Sequence, residues 1–153
     1  IEIAAFKLKN VAGVKNDEWD EDGELELCKK LEVTKSFKRI LVNAEEMTKN
    51  VAVLDEKPDA VLLNFNNLGY AQIRFDDDSR KIFLANVKYI TNAPARTYVW
   101  RILVQMMHCG DLGILEWFDL VNNCVEFETE EQTLSIIFDE ILHTWKYGLL
   151  NED

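Results

Sequence analysis

Two histidines, three cysteines and a scatter of carboxylates are the side chains here that could catalyse or hold a metal. His108 opens the run His-Cys-Gly-Asp-Leu and His143 the run His-Thr-Trp-Lys-Tyr. Neither lies in HExxH, the helical pattern that sets two imidazoles one turn apart to grip zinc. Both fall near the ends of expected helices, where an imidazole bonds free carbonyls or lies at the surface. No second His and no Cys/Asp cluster stands beside either one in sequence to complete a ligand set. Cys109 follows His108 directly, but adjacent helical residues point apart, a poor arrangement for a thiol nucleophile and its base. Cys28, Cys109 and Cys124 are odd in number and widely spaced, with no CxxC. They indicate neither a structural zinc site nor a disulfide framework, and read as buried free thiols of a reducing compartment, which favours the cytoplasm. Asp119, Glu126, Asp139 and Glu140 have the chemistry for paired acid/base work, yet no spacing brings any two together. GxSxG, P-loop and dinucleotide fingerprints are lacking.

Residues 17–24, Asp-Glu-Trp-Asp-Glu-Asp-Gly-Glu, come closest to a calcium loop. With Gly23 at the sixth position, Glu18, Asp20 and Asp22 fall at positions one, three and five. Position twelve is then Lys29, where the loop requires a bidentate Glu. The run therefore reads as a solvated acidic hairpin loop ending in Asp22-Gly23, a favoured turn pair. Trp100, Trp117, Phe118, Phe138 and Trp145 recur at helical spacing and read as core rather than as a ligand-stacking set. The sequence thus assigns no catalytic, cofactor-binding or metal-ligating residue.

These side chains must be positioned by a chain of 153 residues, 48% hydrophobic, enough for one good core or two small ones. The formal net charge of −11 opposes a nucleic-acid partner, because neutralising phosphates takes clustered Lys and Arg. Residues 1–90 hold 14 basic against 17 acidic side chains, and residues 91–153 hold 3 against 11. The negative charge is thus concentrated in the C-terminal part, mostly as solvated helix surface. No run reaches the length of a membrane span, and the first ten residues lack the basic and apolar regions of a signal peptide. Starting at Ile1 inside a strand-like pattern, the chain reads as a piece of a longer polypeptide.

The first half reads as strands. Ile1, Ile3 and Ala5 alternate with Glu2, Ala4 and Phe6. Residues 24–33 alternate more cleanly, with Leu25, Leu27, Leu31 and Val33 apolar. Apolar groups follow at residues 37–42 and 51–54. Val61, Leu62 and Leu63 make another short strand, Asn66-Asn67-Leu68-Gly69 a turn, and Tyr70, Ile73 and Phe75 a further strand. After Asp76 the period becomes helical. Asp76-Asp77-Asp78-Ser79 starts a helix carrying Ile82, Phe83, Asn86, Val87 and Ile90. Asn92-Ala93-Pro94 starts the next, whose core face holds Val99, Ile102, Leu103 and Met106, widened by Trp100 and Met107, and Gly110 stops it. A third helix over 114–127 presents Leu115, Phe118, Val121 and Val125. Thr129-Glu130-Glu131-Gln132 forms a capping box for a fourth, with a buried stripe of Leu134, Ile137, Phe138, Ile141, Leu142 and Trp145, ended by Gly148. The fold class is α+β: a small antiparallel β-sandwich at 1–77, then an incomplete array of antiparallel helices at 78–153.

The segment from Pro58 to Asp76, with its pattern LLN-x-N-x-x-GYA-x-I-R-x-D, resembles strands that close a small β-sandwich in the aminopeptidase N family of zinc metallopeptidases. The hairpin DGELELCKKLEV resembles part of that sandwich. Asn92-Ala93-Pro94-Ala95-Arg96, then Trp100, Gly110-Asp111-Leu112 and residues 117–121, resemble the first helices of the family's C-terminal domain, whose bacterial branch shows a similar PxAR-x-x-x-W pattern. The resemblance covers nearly the whole chain. In the family, zinc is held by HExxH and a downstream Glu, and a GxMEN segment binds the substrate amine. No position here matches these motifs, so no zinc ligand or catalytic residue carries over. The resemblance implies a non-catalytic C-terminal portion of a zinc aminopeptidase. Its partners are the catalytic domain of the same polypeptide, where the zinc resides, and the peptide substrate. Glu128, Glu130 and Glu131 are then candidates to attract peptide amino termini. The alternative is a scaffold or interaction protein that keeps the architecture without the chemistry.

Overall fold

The structure, a computed structural model, describes residues 3–12, 27–37, 57–65 and 71–148. The acidic loop at 17–24, the apolar groups at 38–42 and 51–54, and the turn at Asn66-Asn67-Leu68-Gly69 with Tyr70 lie outside them. Within them the protein is α+β, with a three-stranded antiparallel sheet followed by four α-helices.

Strand β1 (Ile3–Ala12) is central, flanked by β2 (Leu27–Phe37) and β3 (Ala60–Leu63). The β1–β2 ladder runs from Ile3 opposite Phe37 to Ala12 opposite Leu27. Its register shifts between Ala5 and Phe6, which face Lys35 and Val33 respectively. The bypassed Thr34 donates its hydroxyl to the Ala5 carbonyl at 3.2 Å, closing the bulge. Asp59 prolongs the other ladder: its amide donates to the Phe6 carbonyl at 3.0 Å and its carboxylate accepts from the Leu8 amide at 2.9 Å.

Ala4, Phe6, Leu31, Ala60 and Leu62 are buried on the sheet, whereas Val33, expected on the apolar face, is exposed on the flanking strand. Residues 71–76, expected as a strand, are irregular. The alternation behind that expectation is real, since Ile73 and Phe75 are buried between exposed neighbours. It reflects anchoring into the core without a ladder partner.

Helix α1 (Asp77–Asn86) is capped as its sequence predicts: Asp76 accepts the Ser79 amide at 3.0 Å. Asp76 also accepts the Ser79 hydroxyl at 2.6 Å, and that hydroxyl in turn accepts the Val61 amide at 2.9 Å. One cap thereby ties α1 to β3. A 3-10 turn, Val87–Tyr89, follows, and Ile90 bridges to Leu31 of β2. Helix α2 (Ala93–His108) is capped by Asn92 on the Ala95 amide at 2.9 Å, with Pro94 in its first turn. It ends at Gly110, whose φ of +77° suits glycine.

Helix α3 (Ile114–Cys124) continues into a 3-10 turn, Val125–Phe127, and α4 spans Glu131–Gly148. Val121 and Ile137 are buried as expected, and Phe118, Val125 and Ile141 pack partly buried against the core, but the buried face of each helix is rotated from the expected one. In α3 the buried set is Trp117, Leu120, Val121 and Cys124, while Leu115 is 80% exposed. In α4 it is Thr133, Ile137, Glu140 and Thr144, while Phe138, Leu142 and Trp145 face outward. The cause in α4 is polar pairing with α2. Thr133 shares a 2.7 Å hydrogen bond with Thr97, and Glu140 one of 2.7 Å with His108. The outward position of Phe138 and Trp145 also corrects their assignment to the core, which holds for Trp100 and Trp117, packed edge to face at 5.5 Å.

Candidate functional site

Helices α2 and α4 run side by side in the same sense: Thr97 near the start of α2 meets Thr133, and His108 at its end meets Glu140. Helix α3 carries the chain back between them. This threading brings together titratable groups that are 32 residues apart in sequence.

At the far end of the pair, His108 Nε2 lies 2.7 Å from Glu140 Oε1. His143, one turn beyond Glu140 on the same face of α4, sets Nδ1 3.7 Å from that same oxygen. The two imidazoles stack nearly parallel, 18° apart with centroids at 5.4 Å, and Tyr147 packs against His143 at 4.9 Å. The Thr144 hydroxyl donates to Glu140 Oε1 at 3.2 Å and fixes the carboxylate. The donor atoms of His108, Glu140 and His143 all lie within 4.8 Å of one another. Glu140 is nearly buried and both histidines are half exposed, so the arrangement opens to solvent. Two imidazole nitrogens and one carboxylate oxygen form a donor set suited to a borderline divalent cation.

Sequence reasoning separated these residues. It placed the two histidines at helix ends to bond free carbonyls or lie at the surface. They are exposed, but both face Glu140 rather than carbonyls. One local signal was present: Glu140 and His143 form a Glu-x-x-His pair on a single helix face. Its third member, on α2, could not be read from spacing. Asp119, Glu126 and Asp139 stay apart from it, and Asp139 accepts from Ser135, at 3.3 Å. Cys109, exposed at the end of α2, accepts a 3.4 Å hydrogen bond from Gln72, while His108 turns toward α4, so the two form no nucleophile–base pair. Cys124 is buried, and desolvation pushes its thiol pKa up despite the opposing pull of Lys88, which suits an inert core thiol.

The near end of the α2–α4 pair holds Arg96 and Glu128. The guanidinium donates to both carboxylate oxygens, at 2.8 and 2.9 Å, and to the Ile90 carbonyl at 2.7 Å. Glu128 also accepts the amides of Thr129 and Glu130, each at 3.1 Å. The Thr129 amide is thus met by Glu128 and not by Gln132, as a capping box would require. Glu128 is nearly buried and fully committed, so it cannot draw peptide amino termini; Glu130 and Glu131 remain exposed.

A shallow groove of about 450 Å³ lies elsewhere, lined by Lys57, Pro58, Asp59, Asp78, Lys81 and Ile82. Its charges neutralise one another, with Lys57 donating to Asp78 at 2.8 Å, and no chemistry converges there. Among the described residues no helix is long and apolar enough to cross a membrane. The chain matches no family model and no curated protein.

Proposed function

We propose that this chain is the non-catalytic C-terminal portion of a zinc aminopeptidase of the aminopeptidase N type, with the sheet belonging to a small β-sandwich and the helices opening a longer array. One observation supports the reading: the residues that carry the resemblance are joints of the fold. Asn64, at a left-handed φ of 56°, donates to the Tyr98 hydroxyl at 3.1 Å and so links the end of β3 to α2. Asp76 caps α1, Asn92 caps α2 and Arg96 grips Glu128. Trp100, Leu112 and Trp117 fill the core between α2 and α3. Residues spent on caps, joints and core suit a part that spaces and walls a peptide cavity whose zinc lies in another domain of the polypeptide.

The test is hydrolysis of a panel of aminoacyl fluorogenic amides by this chain and by the full native polypeptide, with and without a zinc chelator. Activity confined to the longer form and abolished by the chelator is the expected result. Inactivity of both forms would replace the reading with a scaffold protein of aminopeptidase-like architecture. Turnover by this chain alone would overturn both.

A further inference from the structure

We propose that His108, Glu140 and His143 form a binding site for a divalent cation of the zinc class, clipping the end of α2 to α4. The first argument is charge. Glu140 keeps only 10% of its side chain exposed, and a buried carboxylate requires a positive partner. Among the described residues, no ion pair brings a lysine or arginine to it; its partners are two imidazoles and the Thr144 hydroxyl. A divalent ion between the imidazoles and the carboxylate supplies the missing charge and uses the imidazoles as neutral donors.

The second argument is geometry. An ion held about 2.1 Å from each donor in a tetrahedral shell needs those donors about 3.4 Å apart. The present separations of 2.7 and 3.7 Å from the shared Glu140 oxygen bracket that value, and the three donors already lie within 4.8 Å. Both histidines are half exposed, so small side-chain rotations close the set without moving a helix. Thr144 orients the carboxylate, a supporting contact of the kind that holds metal ligands in place.

The third argument is the field. The site lies at the C-terminal end of α2, where the helix dipole favours positive charge. Two imidazoles and one carboxylate leave a coordination position for water or an exogenous ligand, and they select zinc, nickel or cobalt over magnesium and calcium. The site is independent of the aminopeptidase reading, which places that enzyme's zinc in a different domain.

The test uses the untagged, metal-stripped chain. Zn²⁺ is titrated by calorimetry while histidine ring nitrogens are followed by long-range ¹H–¹⁵N NMR, which is simple because the chain has two histidines. One equivalent of saturable binding that moves the ring signals of both histidines is expected, with no competition from Mg²⁺. His108→Ala, His143→Ala and Glu140→Gln should each weaken binding about tenfold or more, and Cys109→Ser should leave it unchanged. Absence of saturable binding, perturbation of fewer than both histidines, or loss of binding in Cys109→Ser would overturn the proposal. The NMR readout on the unaltered chain decides the matter even if a variant folds poorly.

Discussion

Arg96 and Glu128 show what a charged side chain does in this fold when it is fully partnered. Burial by itself would raise the Glu128 pKa, but hydrogen bonds from Arg96 and from the amides of Glu130 and Thr129 outweigh it and hold the carboxyl below its ordinary value. A carboxylate with a depressed folded-state pKa contributes stability that is present above its unfolded value of about 4.3 and is lost as pH falls through the folded one. Glu128→Gln leaves the Arg96 charge buried against a neutral amide and should cost about 3 kcal/mol at pH 7. In urea titrations the gap between variant and parent should be full at pH 7 and shrink below about pH 4. An unchanged gap at pH 3 would show that the ion pair is not what the substitution removes. Glu140 is the contrasting case, a nearly buried carboxylate whose partners among the described residues are imidazoles and a hydroxyl.

The faces of α4 carry the main lesson at the level of elements. Of its expected stripe, Leu134, Ile137, Phe138, Ile141, Leu142 and Trp145, the helix buries Ile137 fully, and it turns to bury Thr133, Glu140 and Thr144 beside it while Phe138, Leu142 and Trp145 face outward. Both stripes have helical spacing, so periodicity alone could not choose between them. The choice was made by Thr97 and His108 on α2, which supply hydrogen-bond partners that apolar residues cannot use. Ile137→Ala should therefore cost about 2 to 5 kcal/mol, while Leu142→Ser, at an exposed position, should stay within about 0.5 kcal/mol. Chemical denaturation of the two variants checks this, and the reverse order would show that the face carrying Leu142 is the buried one. Helix starts were easier to read than faces: Asp76 and Asn92 cap where their types and positions predict.

Over the whole molecule, one hydrophobic core runs from Ala4 and Phe6 of the sheet through Phe83 of α1 to Trp100, Trp117 and Ile137 of the later helices. Phe6 meets Phe83 edge to face at 5.7 Å, and Phe83 meets Phe75 at 4.7 Å, so an aromatic chain crosses the boundary between the strand-rich and helical halves. Sheet and helices should then unfold together. Phe6→Ala should remove about 3 to 5 kcal/mol from the transition seen by near-UV circular dichroism of the buried tryptophans, although they lie in the helices. An unshifted tryptophan transition would mean that the two halves are stable separately.

The sequence by itself determined the change from strands to helices near Asp76, the starts of α1 and α2, the stop of α2 at Gly110, and the absence of every familiar catalytic motif. These are local properties, set by period, capping chemistry and backbone freedom within a few residues. Tertiary structure decided which face each of the last two helices buries, that Ile73 and Phe75 anchor a segment without pairing as a strand, and that Glu128 is spent on Arg96. It also decided that His108 meets Glu140 and His143. That meeting depends on α3 returning the chain so that α4 lies alongside α2, an arrangement fixed by packing over more than thirty residues and by no local signal.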